Sequence, residues 1–417
     1  MATTEQVGAV ARSGKRAQVA VVAVFFVHGL LFASWTAHIP HVKASLGLND
    51  GSLGIALLGT PIGSVAAIGL AARLVPRLGS RRVVQVGLVG YCLSGPLVGV
   101  SGSLVGLMLA LFLWGLFQGV LDVSMNTQAI AVEGARRRRL MNGIHAWWSI
   151  GAFAGAGAGT LGVAVGLALS VQLLVLGVPV MVVAGLLTAR MLTDRTPRTP
   201  PVAADATTGL DAEPTTPEPA APVRRLSRGM LALGGIAFAS MLCEGASADW
   251  SSVYLRDSLG GDAAAAGLGY TAFALAMFVV RVGGDRLITR MPVHRLLPLL
   301  CGIAALVFLA ALLVGDVAVG VVGFFALGLG LGAVVPTAFS AAGRLPGIHP
   351  GVGVAGVSGL GWAGFVLGPP LIGQLAHLTS LAVALGVIPV LVAGVAVGCA
   401  KVAALRPTSR GAGVPTG

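Results

Sequence analysis

Gln118, Asp122 and Asn126 stand four residues apart in "FQGVLDVSMNTQA", a stretch of otherwise apolar character. On a helix that spacing lines up one carboxylate and two amides as a single stripe. An Asp at the centre of a spanning helix costs about 2.5–3.5 kcal/mol on insertion scales, which surrounding Leu, Phe and Val can offset. The carboxylate still needs a partner or water, so the stripe is expected to face a central path rather than lipid. A carboxylate in such a place can hold a solute, or exchange a proton as its surroundings alternate between wet and dry.

Other polar or aromatic residues fall at comparable depth. His28 and Trp35 are seven apart and share a helix face, as do His145, Trp148 and Ser149. In "CEGASADW" Glu244 and Asp249 flank a Gly- and Ser-containing stretch, with Trp250 beside them. That stretch is expected to be an irregular, loosened helix of the kind transporters use to free backbone groups for solute. Trp362 joins the list. The candidate substrate-binding residues are therefore His28, Trp35, Gln118, Asp122, Asn126, His145, Trp148, Glu244, Asp249 and Trp362, with Asp122 and Glu244 as proton-coupling groups. Each has a structural alternative: interhelical hydrogen bonds for the acids, packing for the histidines, packing or an interfacial belt for the tryptophans.

These residues need elements to carry them. Hydrophobic residues make up 56% of the 417 positions and charged residues only 10%, with a mean hydropathy of +0.91. The charges are bunched between apolar runs of about twenty residues, the pattern of a polytopic membrane protein. Twelve spans are read near 18–39, 51–73, 83–101, 104–131, 141–166, 169–190, 229–251, 264–287, 293–314, 317–341, 350–375 and 378–402. The first apolar run is too long for a signal peptide and no small-residue cleavage site follows it, so it is read as a span. A Pro-, Thr- and Ala-rich segment cannot form a core and reads as a disordered tether. The expected organisation is a tail (1–17), a six-helix bundle (18–190), the linker (191–228), a second six-helix bundle (229–402) and a second tail (403–417). Cys92, Cys243, Cys301 and Cys399 lie in separate apolar segments without metal-ligand spacing, and read as small buried hydrophobes.

The net charge of +12 raises the question of nucleic acid, and its placement answers it. With the N-terminus inside, Arg12, Lys15, Arg16, Arg73, Arg77, Arg81, Arg82, Arg136 to Arg139, the linker arginines, Arg286, Arg290, Arg295 and Arg344 share one face, while Lys43 and Arg256 fall on the other. This positive-inside asymmetry puts both termini in the cytoplasm and gives the basic residues a topological and headgroup role.

Sliding the chain against itself by 213 positions aligns the halves without a gap. Lys43 then falls on Arg256, Arg73 on Arg286, Arg77 on Arg290, Arg82 on Arg295, Gly115 on Gly328, and Gly151 and Gly155 on Gly364 and Gly368. Glycine matches are cheap in this composition; basic loop residues recurring at one offset are not. Two parallel six-helix repeats follow, related by an axis along the membrane normal.

With these features the chain resembles the major facilitator superfamily, over essentially its whole length outside the tails and linker. The superfamily's loop pattern G-x-x-x-D-R-x-G-x-R-R appears as "ARLVPRLGSRR", keeping Arg77, Gly79, Arg81 and Arg82 but with Ala72 and Pro76 in place of the leading Gly and the Asp. The repeat "DRLITRMPVHR" has Thr289 at the Asp position. The resemblance implies a cytoplasmic gate of Arg77, Arg81, Arg82, Glu133, Arg281, Asp285, Arg286 and Arg290, in which Glu133 and Asp285 substitute for the missing acids and Arg281 pairs with Asp285. On the fourth span Gln118 and Gly119 are kept with Gly115 for the family's Arg; on the fifth, Gly151 and Gly155 precede Ala156 where antiporters have Pro, and a closer match is Gly364, Gly368 and Pro369. "ASWTAHIP", "LDVSMNTQA", "NGIHAWWSIGA", "CEGASADWSSVYLRD" and "RVGGDRL" together are similar to one branch, the MosC/YbjJ-like transporters, which implies small, polyol-like or amino-cyclitol-like solutes.

No G-x-x-x-x-G-K-[ST] loop occurs, which disfavours an ATP-driven pump. The expectation is an all-α integral membrane protein of twelve helices in two pseudo-symmetric bundles. It moves a small polar solute by alternating access, coupled to protons. A multidrug exporter, a membrane-embedded enzyme and a transceptor are the rival readings. No catalytic residue, cofactor, metal or nucleic-acid partner is expected; the partners are the lipid bilayer, the solute and the proton, and the chain reads as a monomer. Arginine far outnumbers lysine among abundant Ala, Gly and Val, which points to a GC-rich bacterium and its cytoplasmic membrane.

Overall fold

The computed structural model describes residues 4–136, 138, 140–193, 227–346, 348, 350–402 and 405, with the side chains of 4–13, 142, 284–290, 350 and 351 outside that description. Among the described residues eleven helices are long and apolar enough to cross a membrane. They are α1 (Gly14–Ser45), α2 (Asp50–Leu78), α3 (Ser80–Gly99), α4 (Leu104–Arg136), α6 (Leu169–Thr188), α7 (Arg228–Ser258), α8 (Ala263–Gly283, continuing to Arg290), α9 (Val293–Val314), α10 (Val317–Ala342), α11 (Val352–Leu378, starting at Pro350) and α12 (Leu381–Lys401). The twelfth, α5 (Met141–Ala164), is long enough at 24 residues, but its Gly- and Ala-rich composition makes it less apolar. All twelve spans read from the sequence are present. Most of the linker, residues 194–226, and nearly all of the C-terminal tail lie outside the described residues.

Two local details differ from expectation. The first helix begins at Thr4, well before residue 18, because "TEQVGAVARSGKRAQ" is rich in good helix formers. α7 is continuous α-helix from Arg228 to Val253 through Glu244 and Asp249; the irregular backbone is a π turn at its end, Tyr254–Ser258. Ser247 Oγ donates to the Cys243 carbonyl at 2.8 Å, so the small residues there follow the helix and bond along it instead of breaking it.

The apolar stretches of α1 and α7 are 72% and 67% buried, those of α6 and α9 only 28% and 33%. α1 and α7 are therefore the most enclosed spans, and α6 and α9 are among the least enclosed. Without a hydrophobic driving force between helices in lipid, close packing of small residues must hold the bundle. Gly151, Gly155 and Gly159 of α5 lie one turn apart, and a Cβ on them would collide with the carbonyl oxygens of Phe26, Leu30 and Ser34 on α1. Gly115 of α4 abuts the Thr60 backbone of α2, and Gly328 of α10 abuts the Phe273 backbone of α8. Both members of that second contact obey the 213-residue offset, so the repeat is visible at the level of single backbone atoms. It also explains the altered family pattern on α4: with helix backbones this close, no side chain fits at Gly115.

Candidate functional site

Between the halves lies a cavity of about 290 Å³. α1, α2, α4 and α5 line it from the first half, and α7, α8 and α11 from the second. His28, Trp35, Gln118, Asp122, His145, Trp148, Glu244, Asp249 and Trp362 all reach its wall. Nine of the ten residues singled out for substrate binding thus come together in space, from five helices.

Asn126 is the exception. Its Nδ2 donates to the Asp122 carbonyl oxygen at 2.8 Å and to Asp122 Oδ1 at 3.2 Å, and it is not in the cavity wall. The reason is helical precession: at 3.6 residues per turn a residue eight positions on is rotated by about 80°, whereas one seven positions on returns to within about 20°. Met125, seven residues after Gln118, accordingly lines the cavity. Asn126 holds the carboxylate from behind.

A connected aromatic set fixes the first half of the site. Trp148 Nε1 donates to His28 Nδ1 at 2.8 Å. The His28 ring stacks on Tyr91 at 5.4 Å, Tyr91 stacks on Trp114 at 5.3 Å and 12°, and Trp114 meets Trp35 edge-on at 6.4 Å. Tyr91 Oη donates to the His28 carbonyl at 3.3 Å, and Trp114 Nε1 donates to the Tyr91 carbonyl at 3.1 Å. His145 makes an edge contact with Phe25 at 5.0 Å.

In the second half, Ser240 Oγ approaches Glu244 Oε1 at 3.5 Å, the outer limit of a hydrogen bond. Arg281 reaches into the cavity wall, where its Nη1 donates to Ser149 Oγ at 3.0 Å and its Nε to the Gly332 carbonyl at 3.3 Å. The guanidinium therefore bridges α8 to α5 of the opposite half, a position that the gate reading does not capture. Asp285, its expected partner, has a side chain outside the described residues, as do Arg286 and Arg290. Glu133 Oε2 accepts from the backbone N–H groups of Leu140 at 2.6 Å and Met141 at 2.9 Å, capping the start of α5. Arg77 and Arg82 are exposed at the turn around Gly79, and Arg81 is partly buried there.

Among the described residues both ion pairs belong to Lys43, so Asp122, Glu244 and Asp249 have no cation within salt-bridge reach. An isolated buried carboxylate is costly unless hydrated, protonated or bound by a ligand. The cavity is thus a place where a proton or a polar solute group has something to do. No three His, Cys, Asp or Glu side chains among the described residues are grouped to hold a metal ion.

Comparison with known proteins agrees with this architecture. The Major Facilitator Superfamily profile matches residues 20–355. The chain belongs to the major facilitator superfamily. It is accordingly a multi-pass secondary transporter and not an enzyme. The transporter is 32% identical over 382 residues to an uncharacterised MFS-type transporter of Yersinia pestis, covering 91% of this chain and 94% of that one. It is also 32% identical over 403 residues to membrane protein MosC of Rhizobium meliloti, covering 93% and 90%. Among solved structures, the nucleoside transporter NupG shares the fold with a TM-score of 0.65 at 12% identity, over 92% of this chain and 98% of that one. A bacterial homologue of the human lysosomal transporter Spinster, in an inward-facing and unoccupied conformation, gives 0.61 at 13% identity, over 94% and 96%.

Phe25, Phe32, Ser64, Tyr270, Phe273, Met277 and Phe365 also line the transporter's cavity and were not legible from the sequence. Apolar side chains in an apolar chain carry no contrast. Tyr270 is the one with a signal, being one of only three tyrosines.

Proposed function

We propose that this transporter carries a small polar solute, of polyol, sugar or amino-cyclitol type, across the bacterial cytoplasmic membrane by rocking its two halves about the central cavity. Proton exchange at Asp122 or Glu244 drives the cycle. The observation that carries this reading is the grouping of three carboxylates that have no ion pair among the described residues, with His28, Gln118 and Arg281, around one cavity at the interface of the halves. Charges in a membrane interior are costly and mark solute and proton paths. The relative named MosC lends the solute class its only external support, through the resemblance described above.

The cytoplasmic placement of both termini rests on the basic-residue asymmetry. On that orientation Lys43, Asp50 and Asp257 lie at the outer face. Ser252 Oγ donates to the Thr36 carbonyl at 2.6 Å and Gln374 Nε2 to the Gly51 carbonyl at 3.2 Å, both between halves and both near that face. These bonds fit an inward-facing state with the outer side shut.

Export of a hydrophobic compound is the second reading, favoured by the wall of Phe25, Phe32, Phe273, Phe365, Met125 and Met277. Thermal unfolding of the purified protein separates the two. A ligand at about a hundred times its dissociation constant stabilises by roughly 2.7 kcal/mol. Stabilisation by polyols, sugars or amino-cyclitols, lost in Asp122→Asn, supports the first reading; stabilisation by hydrophobic cations alone, kept in that variant, replaces it with the second.

A further inference from the structure

We infer that His28 and Gln118 form a subsite for one neutral hydroxyl group of the solute, with Trp148 as the residue that sets its polarity. This rests on the polar-solute reading above and narrows it. An indole N–H can only donate, so the 2.8 Å contact from Trp148 Nε1 makes His28 Nδ1 an acceptor without a proton. The neutral ring then carries its proton on Nε2. Among the described residues that Nε2–H makes no hydrogen bond of good geometry, the Gln118 backbone carbonyl lying nearby, although His28 is only 4% exposed and lines the cavity. Gln118 Oε1, on the same cavity wall, is likewise buried and has no partner among the described residues. Orphaned buried polar atoms are uncommon and call for a ligand or water.

The pair offers one donor and one acceptor. A hydroxyl satisfies both at once, accepting from His28 and donating to Gln118. An ammonium cannot accept from the Nε2–H, and a carboxylate cannot donate to the Oε1. The stack of His28 on Tyr91, itself stacked on Trp114, holds the ring so that the tautomer and the direction of the N–H are both defined. On this assignment His28 is a fixed donor, and the carboxylates alone carry the coupling proton.

The test uses the full-length protein in detergent. Nitrogen-15 spectra of histidine-labelled protein, assigned with His28→Phe, are expected to show His28 as the Nε2–H tautomer, and Trp148→Phe is expected to turn it into a tautomer mixture. A His28 protonated on Nδ1 in the wild type overturns the assignment. Binding supplies the second arm, with a panel of hexoses, pentitols and cyclitols followed by the monodeoxy and monoamino analogues of the tightest binder. One position is expected to lose about tenfold or more in affinity on either replacement, and this loss is expected to vanish in His28→Phe and in Gln118→Leu. Equal losses in the wild type and both variants overturn the subsite while leaving the polar-solute reading intact. If no member of the panel binds, that reading fails and the subsite with it.

Discussion

Lys43 Nζ lies 2.7 Å from Asp257 Oδ2 across the boundary between the two halves, and 2.7 Å from Asp50 Oδ1 within its own half. One ammonium thus ties the end of α1 to the start of α2 and to the π turn that ends α7. The repeat places Arg256 at the position equivalent to Lys43, yet it is the neighbouring Asp257 that makes the contact, so the latch is not symmetric.

Breaking this latch is expected to favour opening of that face. The pair is partly exposed, with side-chain exposures of 14% for Lys43 and 35% for Asp257, so its worth is that of a surface pair, about 0.2–1 kcal/mol. Asp257→Asn should shift the ratio of open to closed states up to about fivefold, and raised salt should do the same to the wild type. Spin-label distances between the loops after α1 and α7 measure it; identical distributions in wild type and variant at low salt would remove the latch from the account.

Asp122→Asn should leave the fold intact, since Asn126 can still donate to the residue 122 carbonyl as it does now at 2.8 Å. In proteoliposomes the variant is expected to keep solute exchange at equilibrium but to lose accumulation driven by a proton gradient. Glu244→Gln is the matching test for the second half. Proton-driven accumulation unchanged in both variants would rule out Asp122 and Glu244 as the coupling groups; no accumulation in the wild type would leave facilitated diffusion.

The glycine contacts give a stability prediction with an internal control. Gly115→Ala places a methyl group against the Thr60 backbone, while Gly157 has open space around it. Overpacking typically costs about 1–3 kcal/mol, and replacing a helical Gly by Ala without a clash gains about 0.5–1 kcal/mol. Thermal unfolding should therefore fall for Gly115→Ala and hold or rise for Gly157→Ala. Gly328→Ala should resemble the first, because it meets Phe273 in the equivalent way.

Glu133→Ala is expected to destabilise the start of α5 by removing the acceptor for two backbone N–H groups, each charged hydrogen bond contributing about 1.5–3 kcal/mol. Hydrogen exchange at Leu140 and Met141 should quicken locally. Glu133→Gln, which keeps an acceptor oxygen, should recover part of the protection, a pattern that a pure charge role would not give.

The sequence by itself determined the twelve spans, the 213-residue repeat and which polar residues fall within the spans. Hydropathy acts over about twenty residues of one chain segment, and a membrane converts it directly into a spanning helix. It also showed that Gln118 and Asp122 share a face, because four residues drift only about 40° around a helix. Eight residues drift too far, and so Asn126 turned out to support Asp122 from outside the wall. Which residues meet across helices was decided only by tertiary structure. The Trp148–His28 bond joins α5 to α1, Arg281 reaches Ser149 from the other half, and Lys43 finds the distant Asp257 as well as its near neighbour Asp50. Each depends on the rotation and crossing of two helices, and these are set by where glycines such as Gly151 and Gly115 let backbones touch. A single-chain period carries the face of one helix; the site exists only where several such faces are brought together.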